Sequence, residues 1–318
     1  MNWRRNIFFI LLSLFLFYLV LRNIPFGSLR MQFARAQPVF IGIVGIVLLM
    51  GSTLRAWRWR LMLQNLGYAP SLLHATLAIL VGNLASMVVP GAGELTRCST
   101  LQRTDTVPVA TGLGSVVAER LVDLIMLAFM VVLLFILEFN RLSDQLSRLF
   151  LARFEQGVRS GWFWAGVLVI VVLVWILFRL ANRFVTTRFG QLLNQFKLGL
   201  SSLYALPNPT LYVWLTLLIY LMALLATHLT FMTTPALNDL TLQIAFAILT
   251  VSSLGGLAVP TQAGVGTFHA LAQFVLIQYG YSARFGAVTA TYVHAILYGL
   301  TLLLSVLGFL ILAIRFKS

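Results

Sequence analysis

Five charged residues stand where their neighbours make charge costly. They are Glu94 and Arg97, followed by Glu119, Arg120 and Asp123 inside the apolar run TGLGSVVAERLVDLIMLAFMVVLLF. Glu119 and Asp123 are four residues apart, so on a helix they share a face and repel unless a cation lies between them. Arg120 is three residues from Asp123 and can pair with it; Arg97 is the cation expected for Glu119. If the helix begins at Pro108, a rise of about 1.5 Å per residue puts Glu119 roughly 16 Å along it, past the headgroup layer. Two kinds of chemistry fit such a set. One is a self-neutralising clamp that pins neighbouring helices. The other is the polar lining of a cavity for a charged headgroup, with Arg97 or Arg120 meeting phosphate and a carboxylate meeting an amine. Three negative charges against two positive leave a negative residue, which favours a site that admits a cation.

A second set, further along the chain, has no carboxylate. His269 and Gln273 follow one Gly/Pro-rich segment, and Thr291, Tyr292, His294 and Tyr298 lie in the last apolar run. His294 and Tyr298 share a helical face, where a histidine serves as a proton-sensitive group or as a hydrogen-bonded structural one. Other chemistries lack their residues. The four histidines never form His-Glu-x-x-His, and there is neither a P-loop nor a Gly-x-Ser-x-Gly elbow. The single cysteine, Cys98, excludes an intramolecular disulfide framework and reads as a small residue in a packed helix. No metal or other cofactor is expected.

The elements that must position these residues are membrane helices. Of 318 residues, 60% are hydrophobic and 9% charged, against about 25% charged in an ordinary soluble domain. The balance of 22 Lys+Arg to 8 Asp+Glu would suggest nucleic acid in a soluble protein. Here the basic residues lie between long apolar runs, which points to anionic lipid and to topology and away from a polynucleotide. Apolar runs occur at about 7–21, 38–54, 72–89, 108–137, 161–178, 211–231, 241–259, 262–279 and 285–314. A full crossing needs about 20 apolar residues, so some of these need not span. The first, with Arg4 and Arg5 ahead of it, reads as an uncleaved span.

Residues 91–107 are too polar to cross hydrocarbon. Either 72–89 spans completely, or Val88-Val89-Pro90-Gly91 is the tip of a hairpin that returns to the side it came from. With Arg120 left out because it lies inside a span, a full crossing distributes Lys and Arg 10 to 11 across the membrane; a re-entrant hairpin distributes them 13 to 8, with Arg4, Arg55, Arg58, Arg97 and Arg315 on the richer side. The positive-inside rule therefore favours the hairpin, with both termini cytoplasmic.

That topology divides the chain into two repeats of the same order: residues 1–138 and 161–318, joined by an interfacial linker at 139–160 with Leu142, Leu146 and Phe150 at helical spacing. Each repeat reads span, amphipathic stretch, span, broken hairpin, long span. The tips match, Val89-Pro90-Gly91-Ala92-Gly93 against Val259-Pro260-Thr261-Gln262-Ala263-Gly264. Three full crossings in the first repeat invert the second. The expected fold is all-α and polytopic, about six full spans plus two re-entrant hairpins. Inverted halves with a Gly/Pro-interrupted segment at the matched place are the pattern of a transporter whose site lies between repeats; close packing of kinked helices is the alternative.

Asn83, the run Pro90-Gly91-Ala92-Gly93-Glu94 with Arg97, then Glu119-Arg120-x-x-Asp123, and later Pro260 with Ala263-Gly264-Val265-Gly266 resemble the lysylphosphatidylglycerol synthase transmembrane (flippase-like) family, also described as the UPF0104 membrane proteins. The resemblance covers nearly the whole chain. It implies an integral domain that moves lipids between leaflets of the cell (inner) membrane, without the C-terminal synthase domain and so without aminoacyl transfer. The second tip departs from the family pattern of a Pro-Gly-Gly core followed by an acidic residue, since Gln262-Ala263 and His269 occupy those places. The function expected is a flippase for a phospholipid or polyprenyl-linked lipid, not an enzyme; the alternative is an integral transferase acting on a lipid-linked substrate. The expected substrate-binding set is Asn83, Pro90, Gly91, Gly93, Glu94, Arg97, Glu119, Arg120, Asp123, Pro260, Gly264, Gly266, His269 and His294. Expected partners are membrane lipids, a further copy of the chain and a separate lipid-modifying enzyme.

Overall fold

The computed structural model describes residues 26–89, 91–139, 206, 208–259, 261 and 264–315. The expected first span at 7–21, the linker from 140 to 160, the span at 161–178, the amphipathic stretch near 185–200, and both Pro90 and Pro260 lie outside the described residues.

Nine α-helices and one short 3-10 turn make up the described chain, and no strand occurs among these residues. They are α1 (Phe26–Ala34), α2 (Pro38–Asn65), α3 (Leu72–Val88), α4 (Ala92–Asp105), α5 (Val109–Leu137), α6 (Pro209–Met232), α7 (Leu242–Ala258), α8 (Thr267–Gln278) and α9 (Ala283–Arg315). Four of them, α2, α5, α6 and α9, are long and apolar enough to cross a bilayer. The protein is an all-helical, polytopic membrane protein, and large apolar side chains such as Phe129, Ile136, Trp214 and Leu310 are exposed along the long helices, as a lipid-facing surface requires.

The local chemistry of the two halves is alike. Pro38 and Pro209 open α2 and α6 at the first turn, where a missing N–H costs nothing. Ser71 caps α3 by accepting from the His74 N–H at 3.1 Å, and Thr241 caps α7 by accepting from the Ile244 N–H at 3.4 Å. Both helices run 17 residues and are followed by a valine, Val89 or Val259, that stands outside the helical region and precedes a proline. Then α4 folds back on α3, and α8 on α7. Gly91, with φ +83°, supplies the left-handed turn into α4, and Gly266, with φ +85°, the turn into α8.

Two close approaches fix the correspondence residue by residue. A Cβ on Gly112 would lie 2.9 Å from the Cys98 Sγ, and one on Gly286 would lie 3.2 Å from the Gln273 Cγ. Gly112 and Gly286 are each the fourth residue of the long last helix, and Cys98 and Gln273 each the seventh of the returning arm. The pairing is also exchanged: α5 packs on α4 and on α7, whereas α9 packs on α8 and on α3. Cys98 is buried in this contact, in keeping with its reading as a small packing residue.

One boundary differs from the sequence expectation. The run at 38–54 does not stop at its first arginine; α2 continues to Asn65, with Ala56, Arg58, Trp59, Met62 and Leu63 buried. The first hairpin also brings two backbones into close approach. A Cβ on Gly93 would lie 2.1 Å from the Ser86 Oγ and 2.4 Å from the backbone oxygen of Gly82. Gly93→Ala is therefore expected to destabilise the protein by about 3 kcal/mol or more, because backbone cannot give way as a flexible side chain can. Thermal unfolding in detergent checks this, with Gly114→Ala, which meets nothing within 4 Å, as the neutral control.

Candidate functional site

The buried charges come together around one carboxylate. Glu119, on α5, accepts from the Arg58 Nη2 at 2.9 Å through Oε1 and from the Arg97 Nη2 at 2.7 Å through Oε2. Arg58 also donates to the Asp123 Oδ1 at 2.8 Å, so α2 is tied to both carboxylates of the α5 face. Aromatic rings support the guanidinium groups: Arg97 lies 4.7 Å from the Trp59 ring centre and Arg58 lies 5.8 Å from that of Tyr212. Trp59 is held in turn by its N–H bond to the Ser115 Oγ at 2.8 Å. The expected Arg97–Glu119 pair is present. Arg120 differs from expectation: its close partner is Glu94 on α4, and Asp123 is 3.8 Å away. Asp123 has Arg58 instead, which reaches it from a separate helix with better geometry than an i,i+3 neighbour has.

Burial grades across the set. Glu119 and Arg58 are nearly inaccessible, whereas the Arg120 side chain is 60% exposed and that of Glu94 29%. The graded end opens into a cavity of about 700 Å³. Asn83 and Gly93 line it beside the charged residues, and so does Arg55 from α2. Ser253 and Gly256 of α7 line it as well. These two stand at the places of α7 that Asn83 and Ser86 hold in α3, and Ser86 too is on the wall. The cavity thus lies where the matched arms of the two halves meet.

The sign of this site is the reverse of the expected one. Four arginines, Arg55, Arg58, Arg97 and Arg120, face three carboxylates, Glu94, Glu119 and Asp123, for a net charge of +1. Each carboxylate has an arginine, and Arg55 has no ion pair with any described residue. The Nε atoms of Arg58 and Arg97 are buried and find no acceptor among the described residues. Sequence reasoning missed Arg55 and Arg58 because it placed them on a membrane face. The signal available was their spacing of three, in register with Met62 one turn further, on a run with no helix breaker. Since Arg58 and Arg97 are paired in the interior, they do not act as topological charges, and the margin of 13 over 8 narrows.

Not all the expected site residues share this place. Asn83, Gly93, Glu94, Arg97, Glu119, Arg120 and Asp123 line the cavity, while Gly91 shapes its hairpin turn. His269, His294, Gly264 and Gly266 are absent from its wall and form a second cluster. The His269 and His294 ring centres are 4.5 Å apart, His294 stacks on Tyr298 at 4.2 Å, and Gly264 approaches the Tyr298 hydroxyl.

The description "Lysylphosphatidylglycerol synthase TM region" matches residues 6–305. The chain belongs to this family. No curated protein and no solved structure matches it. For this family member the membrane setting of the charged cavity follows: the protein has a lipid-related role, and the cavity places a net positive charge among helices long enough to span a bilayer.

Proposed function

We propose that the protein moves a lipid with an anionic, phosphate-bearing headgroup between leaflets of the cell (inner) membrane, the headgroup passing through the charged cavity while the acyl chains stay in lipid. Arg55 carries this reading. An arginine that forms no ion pair with a carboxylate among the described residues, on the wall of a cavity whose other arginines are paired, is suited to receive an anion. In this account α3–α4 and α7–α8 are re-entrant hairpins of inverted repeats and both termini are cytoplasmic; irregular backbone at membrane depth is tolerated where protein covers it or where it lines a wet cavity. A transferase is the weaker alternative, because every carboxylate of the cavity is engaged by arginine instead of standing open as an acid, base or metal ligand.

The test is reconstitution into liposomes holding fluorescent lipid in both leaflets, with an impermeant quencher added outside. Labelled phosphatidylglycerol is expected to become fully accessible in the presence of protein, and labelled phosphatidylcholine to do so at least about tenfold more slowly, the difference that one charge-assisted hydrogen bond supplies. Equal, slow loss of signal in protein-containing and empty vesicles for every anionic lipid tried would overturn the proposal.

A further inference from the structure

The two close approaches that match the halves also match their polar pairs. Counting back four from Cys98 gives Glu94, and back four from Gln273 gives His269. Eight residues beyond Gly112 is Arg120, and eight beyond Gly286 is His294. The ion pair that closes the open end of the first cavity therefore has, as its positional counterpart, the pair of imidazoles in contact at 4.5 Å. The ion pair carries its charges permanently; two neutral imidazoles carry none until a proton arrives.

We propose that His269 and His294 form a proton-binding site, the second-half counterpart of Glu94–Arg120, and that protonation there is coupled to headgroup movement through the cavity. This inference rests on the transport reading above. The ligand is a proton because two imidazoles in ring contact can share one; burial and the neighbouring His294 both oppose the charge on His269, so the site fills only when protons are supplied at raised concentration. Both rings are buried, Phe268 packs on His294 at 5.3 Å and Tyr298 covers its other neighbourhood at 4.2 Å. The helices packed against α8 and α9 bring basic or phenolic groups, Arg30 of α1, the arginines of α2, His74 of α3, and His228 with two tyrosines of α6, while α7 has no ionisable residue. None of these helices carries an acidic residue, and Tyr298 stacks on His294.

The geometry also gives the proton something to move. The Gly266 N–H donates to the His269 Nδ1 at 3.3 Å, so neutral His269 satisfies the first turn of α8 at the second tip. A doubly protonated ring has donors on both nitrogens and cannot accept that bond. Protonation of His269 releases the Gly266 amide, at a residue whose φ of +85° already sets the bend of the chain. The tip of the second hairpin is therefore linked to proton occupancy, as the first hairpin is linked to Arg120 through Glu94.

Two measurements on the full chain decide the matter. In proteoliposomes with the membrane potential clamped and a one-unit pH gradient imposed, one proton coupled per lipid drives about a tenfold enrichment of labelled phosphatidylglycerol in one leaflet. Wild type is expected to show this and to reverse it with the gradient. His269→Gln keeps an acceptor for Gly266 but takes no proton, and is expected to equilibrate the lipid without enrichment. Movement in wild type that ignores the gradient, or full enrichment by His269→Gln, would overturn the coupling and leave the transport reading intact. Should wild type move no lipid at all, the transport reading falls, and ring NMR of the four histidines tests the site itself. His294 is expected to titrate at a different midpoint once His269 is replaced by Gln; an unchanged His294 midpoint would refute the shared site.

Discussion

Glu119→Gln is expected to destabilise the protein by about 3–5 kcal/mol, the cost of breaking a buried ion pair from one side. The carboxylate accepts from two guanidinium groups that are themselves buried, one from α2 and one from α4. Glutamine preserves the shape and one acceptor oxygen, so packing is retained. What is lost is the charge. Arg58 keeps Asp123, whereas Arg97 keeps the face of Trp59 but no ion pair with a described residue. The rescue follows from the same bookkeeping of charge: Arg97→Met added to Glu119→Gln removes the stranded cation and is expected to recover more than half of the loss. Thermal unfolding of the two single variants and the double variant reads the coupling as a cycle. A double variant as unstable as the sum of the singles would show that these residues act separately, contrary to the shared geometry.

Arg120→Glu is expected to give the largest loss of transport with folded protein retained. Arg120 sits at the exposed end of the cavity, so its replacement strands no deeply buried charge, and its removal frees Glu94 into solvent. The substitution changes the cavity from a net +1 to a net −1 and sets two carboxylates at its mouth. Repulsion of several kcal/mol between like charges converts to a fall in anionic lipid movement of about 100-fold or more. Unfolding temperature and yield are expected to stay close to wild type, because exposed ion pairs contribute little to stability. The exchange variant Glu94→Arg with Arg120→Glu restores both the pair and the net charge, and is expected to regain most of the transport rate.

Much of the architecture is legible in residue pattern. Pro38, Ser71, Pro209 and Thr241 mark helix starts by chemistry that acts within one turn, and the observed bounds of α3, α5, α7 and α9 fall within a few residues of the apolar runs. The matched hairpins are foreshadowed by Val-Pro at each tip. What pattern does not show is which helix stands opposite a given charge. The pairing of Arg97 with Glu119 is legible because both lie near one hairpin, whereas Arg58 arrives from a helix 61 residues away in sequence. An arginine at the end of an apolar run has the same local signature whether it reaches headgroups or turns inward to a carboxylate; only the continuation of α2 to Asn65 distinguishes the two. The charge of the cavity changes sign on that point. The correspondence of Glu94–Arg120 with His269–His294 is similarly hidden, because it becomes countable only once Gly112·Cys98 and Gly286·Gln273 anchor the halves.

Arg55 is where the account is most exposed to test, since among the described residues it is the cavity arginine that forms no ion pair. Initial rates of labelled phosphatidylglycerol movement should be compared in liposomes holding equal amounts of wild type, Arg55→Lys and Arg55→Gln. The account predicts a fall of about 10- to 100-fold for Arg55→Gln, equivalent to one hydrogen bond to a charged group, with Arg55→Lys keeping a substantial part of the rate. An Arg55→Gln protein that moves the anionic lipid as fast as wild type would contradict it.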